Sequence, residues 1–187
     1  MREPPLTLGL EDEPDDEDER GAPARSVSAP STAGFVVRTD GAARGNPGPA
    51  SAGAVLISLA RPDARHPLAA PDASISDYLG IQTNNVAEYT AVVRAVALAL
   101  ELGARRLELL LDSKLIVEQL AGRWRVKDAK LIPLWAACRA SLGTFRRWTA
   151  SHVPRAQNTV ADALANEAID RAQAGGPASV VRRPPDG

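Results

Sequence analysis

Cysteine is nearly missing from this chain: Cys138 is the single one among 187 residues. No disulfide framework can hold the fold, so a hydrophobic core must. Leu131, Leu134, Trp135, Cys138 and Leu142 fall on one stripe at helical spacing, which makes Cys138 a buried structural thiol and not a nucleophile. Long apolar runs are missing too, since none approaches the roughly 18 residues of a membrane span. The N-terminus is acidic where a secretory leader would be basic and then apolar. These absences predict a soluble, cytoplasmic protein with no membrane partner, and a monomer is expected.

What remains is ample for one domain, with 44% hydrophobic residues to furnish a core. The formal net charge of -1 hides an asymmetry. Residues 1–33 carry nine acidic and three basic side chains, for -6, and residues 34–187 carry 19 basic and 14 acidic, for +5. The block EDEPDDEDE at residues 11–19 repels itself and offers little apolar surface to bury. It predicts a disordered acidic tail over 1–33 that solubilises the protein or imitates nucleic acid. A domain over 34–175 follows, then a Pro-containing flexible tail over 176–187.

Within the domain the pattern reads strand, strand, strand, helix, strand, helix, helix, strand, helix. Phe35-Val36-Val37 is β-branched and aromatic, and the glycines and prolines from Gly41 to Pro49 predict that the strand stops at Asp40. Further strands are predicted over about 51–59, 75–81, 106–111 and 145–150; the Phe35 strand with those over 51–59 and 75–81 forms an antiparallel meander. Helices are predicted over 84–102, 114–120, 131–142 and 159–172. Thr83 or Asn84 caps the first of these and Gly103 stops it, while Asn158 or Thr159 caps the last.

Four carboxylates stand at element boundaries. Asp40 and Asp112 end strands, whereas Glu88 and Asp162 lie in the opening turns of helices. Each has a plain explanation by itself: Asp40-Gly41 suits a hairpin turn, Asp112-Ser113 a helix cap, and Glu88 and Asp162 complement helix dipoles. As a set they occupy the positions that line one edge of an α/β sheet, where they would repel unless a cation were present. Hard oxygen donors, no neighbouring cysteine and one candidate histidine point to Mg²⁺ or Mn²⁺ over zinc. Between the middle helices, Gly122-Arg123-Trp124-Arg125-Val126-Lys127 puts an indole among cations, fit to meet phosphates and a sugar or simply to pack at a helix junction.

Thr39-Asp40-Gly41 with Gly45-Asn46-Pro47-Gly48, then Thr83-Asn84-Asn85 with Glu88, then Leu111-Asp112-Ser113, then His152 ten residues before Asp162, together resemble type I ribonuclease H over residues 34 to about 174. The resemblance implies an α/β fold, a five-stranded mixed sheet flanked by helices, and an endonuclease that cuts the RNA strand of RNA–DNA hybrids with two Mg²⁺ ions. It implies metal ligation by Asp40, Glu88, Asp112 and Asp162, a proton-transfer or product-release role for His152, and hybrid contacts from Gly41, Asn46, Thr83, Asn84, Asn85, Ser113 and Asn158. Two departures stand out. Val153-Pro154 stiffens the loop after His152 where many members have glycines. Only 22 residues separate Asp112 from Trp135, which leaves no room for the family's basic helical protrusion. Arg123 and Trp124, with Arg125 and Lys127, replace part of it, predicting weak and salt-sensitive hybrid binding. A nuclease of the same fold acting on DNA and a noncatalytic binding module are the two other readings.

Overall fold

The computed structural model describes residues 33–185; the predicted acidic tail lies outside them. The chain runs β1 (Gly34–Ala43), β2 (Gly48–Ser58), β3 (Ala73–Gln82), α1 (Asn84–Glu101), β4 (Arg106–Leu111), α2 (Lys114–Leu120), α3 (Leu131–Leu142), β5 (Arg147–His152), a 3₁₀ turn (Arg155–Gln157), α4 (Thr159–Gln173) and β6 (Ser179–Arg182). The sheet order is β5-β4-β1-β2-β3-β6. β1, β2 and β3 form the antiparallel meander, and β4 and β5 run parallel to β1. The starts of β1, β4 and β5 therefore share one edge of the sheet, and their ends share the other.

Alternation along β1 decides which layer each residue joins. Phe35 and Val37 enter the main core with Leu56, Ile75, Leu107, Leu109, Tyr89, Val92 and Val96. Val36 instead packs with Ile57, Ala64 and Ala69 beneath the 61–71 loop. Thr83 caps α1, its hydroxyl accepting from the Val86 amide at 3.3 Å. Cys138 is fully buried and its thiol is pushed up to about 12 by that burial. Tyr89 donates to Gln119 Oε1 at 2.6 Å, and the Trp135 indole donates to the Gln119 carbonyl at 3.2 Å, so buried polar groups tie α1, α2 and α3 together.

Two glycines set how close the helices come. A Cβ on Gly41 would overlap the Glu88 amide and the Ala87 carbonyl carbon of α1. A Cβ on Gly53, the ladder partner of Asp40, would overlap Ala161 O and Ala165 N of α4. Ser51 and Ser76 hydroxyls then donate to the carbonyls of Ala165 and Leu164, at 2.6 and 2.8 Å. The first two turns of both helices are thereby pressed against the sheet beside Asp40.

The structure corrects four expectations. β1 does not stop at Asp40 but continues to Ala43, because Gly41 serves the helix approach and leaves the ladder intact. β5 begins at Arg147 and extends to His152, so the histidine ends a strand. The sheet has six strands, not five. The sixth lies within the stretch read as a flexible tail: β6 adds to the edge of β3, with Val181 packed against the core. Arg171 donates to Ser76 and to the Pro177 carbonyl, and Ser179 donates to the buried Asp77, which also meets Arg94 at 2.6 Å. Four residues flanked by prolines are too short to display a strand period.

Candidate active site

Asp40 is 5% exposed, and its Oδ2 is buried without a hydrogen-bond partner. Burial, then the charge of Asp112, then a hydrogen bond and charge from Asp162, then Glu88, raise its pKa from 3.8 to about 8. Two carboxyl groups can share a hydrogen bond only when one carries a proton. The raised pKa therefore marks a spot where a proton or another positive charge is favoured.

The other carboxylates are held by neutral or cationic partners. Glu88 Oε1 accepts from Asn84 Nδ2 at 2.8 Å. Its pKa is raised, burial outweighing the hydrogen bonds from Ser113 and Asn84. Asp112 Oδ1 accepts from Asn158 Nδ2 at 3.0 Å. Asp162 meets the exposed guanidinium of Arg155 at 3.6 Å. No three His, Cys, Asp or Glu side chains among the described residues close around a single point as an ion cage. The donor chemistry nonetheless fits a hard divalent cation. The set is all carboxylate oxygen, one oxygen is buried and unpartnered, and the central group is destabilised by like charge.

The remaining candidates divide into three groups. His152 is exposed beside this cluster, with Nε2 3.2 Å from the Asp112 carbonyl. Asn46, Thr83, Asn84 and Asn85 form a polar rim at the start of α1, where Asn46 Oδ1 accepts from the Asn84 amide at 3.2 Å. Ser113 stands at the cap position of α2 but makes no cap hydrogen bond, its hydroxyl serving Glu88 instead. Gly41 and Asn158 were read as substrate contacts, and both are buried. Asn158 does not cap α4 with its side chain; it donates to the Thr39 carbonyl at 2.7 Å and to Asp112, tying the end of β1 to the end of β4. These two residues build the site and do not face solvent.

Arg123 and Trp124 sit apart, at the α2–α3 junction. Arg123 grips Glu118 with two nitrogens, and no described contact joins it to the carboxylates. Trp124 is 48% exposed and lines a groove of about 460 Å³ with Arg125, Val126, Ile132 and Trp135.

Two residues escaped the sequence reading. Arg38 is 1% exposed and donates to the carbonyls of Gln157 at 2.9 Å and Arg65 at 2.8 Å, anchoring the turn that leads into Asn158 and Asp162. A cation interrupting the apolar run of β1 was its only signal. Arg155 counters the charge of both Glu88 and Asp162, and only its place between His152 and Asp162 could have marked it.

A reverse transcriptase-like family model matches residues 38–168. A ribonuclease HI of Halobacterium salinarum is 43% identical over 137 residues, covering 71% of this chain and 63% of that protein. A bifunctional protein of Mycobacterium tuberculosis is 44% identical over 137 residues; that match spans 73% of this chain but 36% of the relative. A ribonuclease H of a Polaromonas species is 34% identical, with 89% of it covered. Among solved structures, RNase H1 of Halobacterium salinarum superposes with a TM-score of 0.66 at 42% identity, over 73% of this chain and 98% of that one. LC11-RNase H1, solved in complex with an RNA/DNA hybrid, gives a TM-score of 0.66 at 35% identity over 74% and 99%. With the fold, the carboxylate-lined edge and these relatives in agreement, the chain belongs to the type I ribonuclease H family.

Proposed function

We propose that this chain is an endonuclease that hydrolyses the RNA strand of RNA–DNA hybrids, leaving 5′-phosphate and 3′-hydroxyl ends. The observation that carries this reading is Asp40, a buried carboxylate with an unpartnered oxygen whose pKa neighbouring carboxylates help raise to about 8. Asp40, Glu88, Asp112 and Asp162 would hold two Mg²⁺ ions, or Mn²⁺ in their place. Such ions, once bound, acidify water and neutralise the scissile phosphate.

The chain's own residues do the rest. Asn158 keeps Asp112 aimed at the site, while Asn84 and Ser113 steady Glu88. The water oxygen bonds to phosphorus as its proton passes to bulk solvent, the P–O3′ bond breaks, and the departing 3′-oxygen takes a proton. His152, exposed beside Asp112, would donate it. The rim of Asn46, Thr83, Asn84 and Asn85 meets the minor groove of the hybrid, where the 2′-hydroxyl separates RNA from DNA. Trp124 would pack a sugar, with Arg125 and Lys127 near phosphates, and Arg123 joins them only by releasing Glu118. The protein acts as a monomer in the cytoplasm on this reading. It is supported by the hybrid-bound LC11 relative, which shares the fold at 35% identity.

The test is incubation of the purified protein with Mg²⁺ and labelled hybrid, single-stranded RNA, double-stranded RNA and double-stranded DNA. The hybrid alone should be cut, in its RNA strand, and Asp112→Asn should abolish cutting without unfolding the protein. Preferential cutting of DNA, or cutting that survives a chelator, would remove the reading.

A further inference from the structure

Because β1, β4 and β5 are parallel, the edge of the sheet opposite the carboxylates is built from their starts. Arg105 and Arg106 lead into β4, and Arg146 and Arg147 lead into β5. The backbone clamps the two pairs together. The amides of Arg146 and Arg147 both donate to the Arg105 carbonyl, at 2.9 and 3.4 Å, and Arg106 and Arg147 are ladder partners. All four residues are exposed, and their guanidinium groups make no ion pair among the described residues. A cleft of about 120 Å³ opens between Arg106, Leu107, Glu108, Arg147 and Thr149. The one carboxylate in it, Glu108, is already engaged by both ends of the Arg65 guanidinium, at 2.9 and 2.7 Å. The patch is therefore an unneutralised cationic surface on a rigid backbone, suited to a flexible run of carboxylates or phosphates.

The chain joins the sheet at this spot, with such a run upstream in its sequence. The Ala33 carbonyl accepts from the amides of Arg105 and Arg106, at 2.8 and 3.3 Å, and a Cβ on Gly34 would press on Arg106. Everything N-terminal to residue 33 is thus tethered at the arginine patch. Residues 11–19 hold eight carboxylates. The 14 residues from there to Ala33 extend to at most about 48 Å, enough to reach any part of the patch. At the far edge of the sheet Asp40, Glu88, Asp112 and Asp162 repel the same run. A tether of this length keeps the effective concentration of the acidic run near the millimolar range, so several individually weak exposed contacts suffice.

We propose that the acidic run at residues 11–19 docks on the Arg105, Arg106, Arg146 and Arg147 patch as an intramolecular clip. The clip holds the chain's own polyanion at the edge remote from the catalytic carboxylates and covers a cationic surface that would otherwise attract nucleic acid.

The test uses the full chain with one spin label. Cys138 is fully buried, so a label on Pro14→Cys reports the acidic run alone. At low ionic strength the amide signals of Arg105, Arg106, Arg146, Arg147 and Thr149 should lose at least half their intensity. They should recover in 1 M salt, where the screening length falls to about 3 Å, and in the Arg106→Gln/Arg147→Gln double variant. Broadening centred instead on the Trp124 groove or on the Asn46–Asn84 rim, or no broadening anywhere, overturns the clip. So does a patch whose amides shift on adding a DNA duplex while the label leaves them untouched, which would make it a nucleic-acid surface.

Discussion

The two edges of the sheet carry opposite charge in opposite states. At the ends of β1 and β4, negative groups are packed together and Asp40 is withdrawn from water, with an oxygen left unpartnered. At the starts of β4 and β5, positive groups are equally crowded but exposed. Burial makes the difference in consequence. Like charges in a low-dielectric setting must take a proton or a cation, whereas like charges in water are screened and tolerated. One edge is therefore chemically committed, and the other is an adaptable electrostatic surface.

The contrast can be broken most severely at Asp40. Asp40→Asn should lower hybrid cleavage by about a thousandfold or more, several kcal/mol of lost transition-state stabilisation, as measured in single-turnover assays. The same change should stabilise the protein when divalent cations are chelated. The sign follows from the raised pKa: folded Asp40 keeps its proton up to about 8, and an unfolded one releases it above 3.8. Stability from this group is complete below 3.8 and is lost as pH rises toward 8. Thermal melts of the chelated wild type should fall over that window, and those of Asp40→Asn should fall less, since Glu88 with its raised pKa remains.

A smaller effect is expected from Asn158→Ala, which frees Asp112 and the Thr39 carbonyl without touching a carboxylate. Cleavage should drop roughly 10–100-fold, with a higher Mg²⁺ concentration required for half-maximal rate; an unchanged Mg²⁺ requirement would deny Asn158 its positioning role. Gly41→Ala should cost about 1–3 kcal/mol in denaturant unfolding, because the added methyl meets backbone and no movable side chain. At the opposite edge, Arg106→Gln/Arg147→Gln should change stability by no more than about 0.5 kcal/mol, the usual range for exposed positions. A large change there would show that the arginines are structural and erase the contrast between the edges.

Much of this molecule was legible in the chain. β4, α2 and α3 fall where the residue pattern placed them, because a mostly apolar run and a helical stripe need no partner to be recognised. The order Asp, Glu, Asp, His, Asp and the intervening elements were enough to indicate the family. β6 was not legible, since four residues become a strand only by borrowing the edge of β3. Nor was the end of β1, where Gly41 reads as a breaker until a helix backbone is seen lying against it.

The amino-acid sequence alone determined which groups could carry chemistry: four carboxylates at element boundaries, a lone inert cysteine and a chain divided into an acidic and a basic part. Only the tertiary structure decided what those groups do to each other. Burial and proximity turn Asp40 from an ordinary acid into one that holds its proton to about 8. Asn158 stands at the cap of α4 as expected, but its side chain is spent on the Thr39 carbonyl and on Asp112. Parallel strands gather arginines far apart in sequence beside the point where the acidic segment joins the sheet. Distance and dielectric govern each of these outcomes, and neither is defined until the chain has folded.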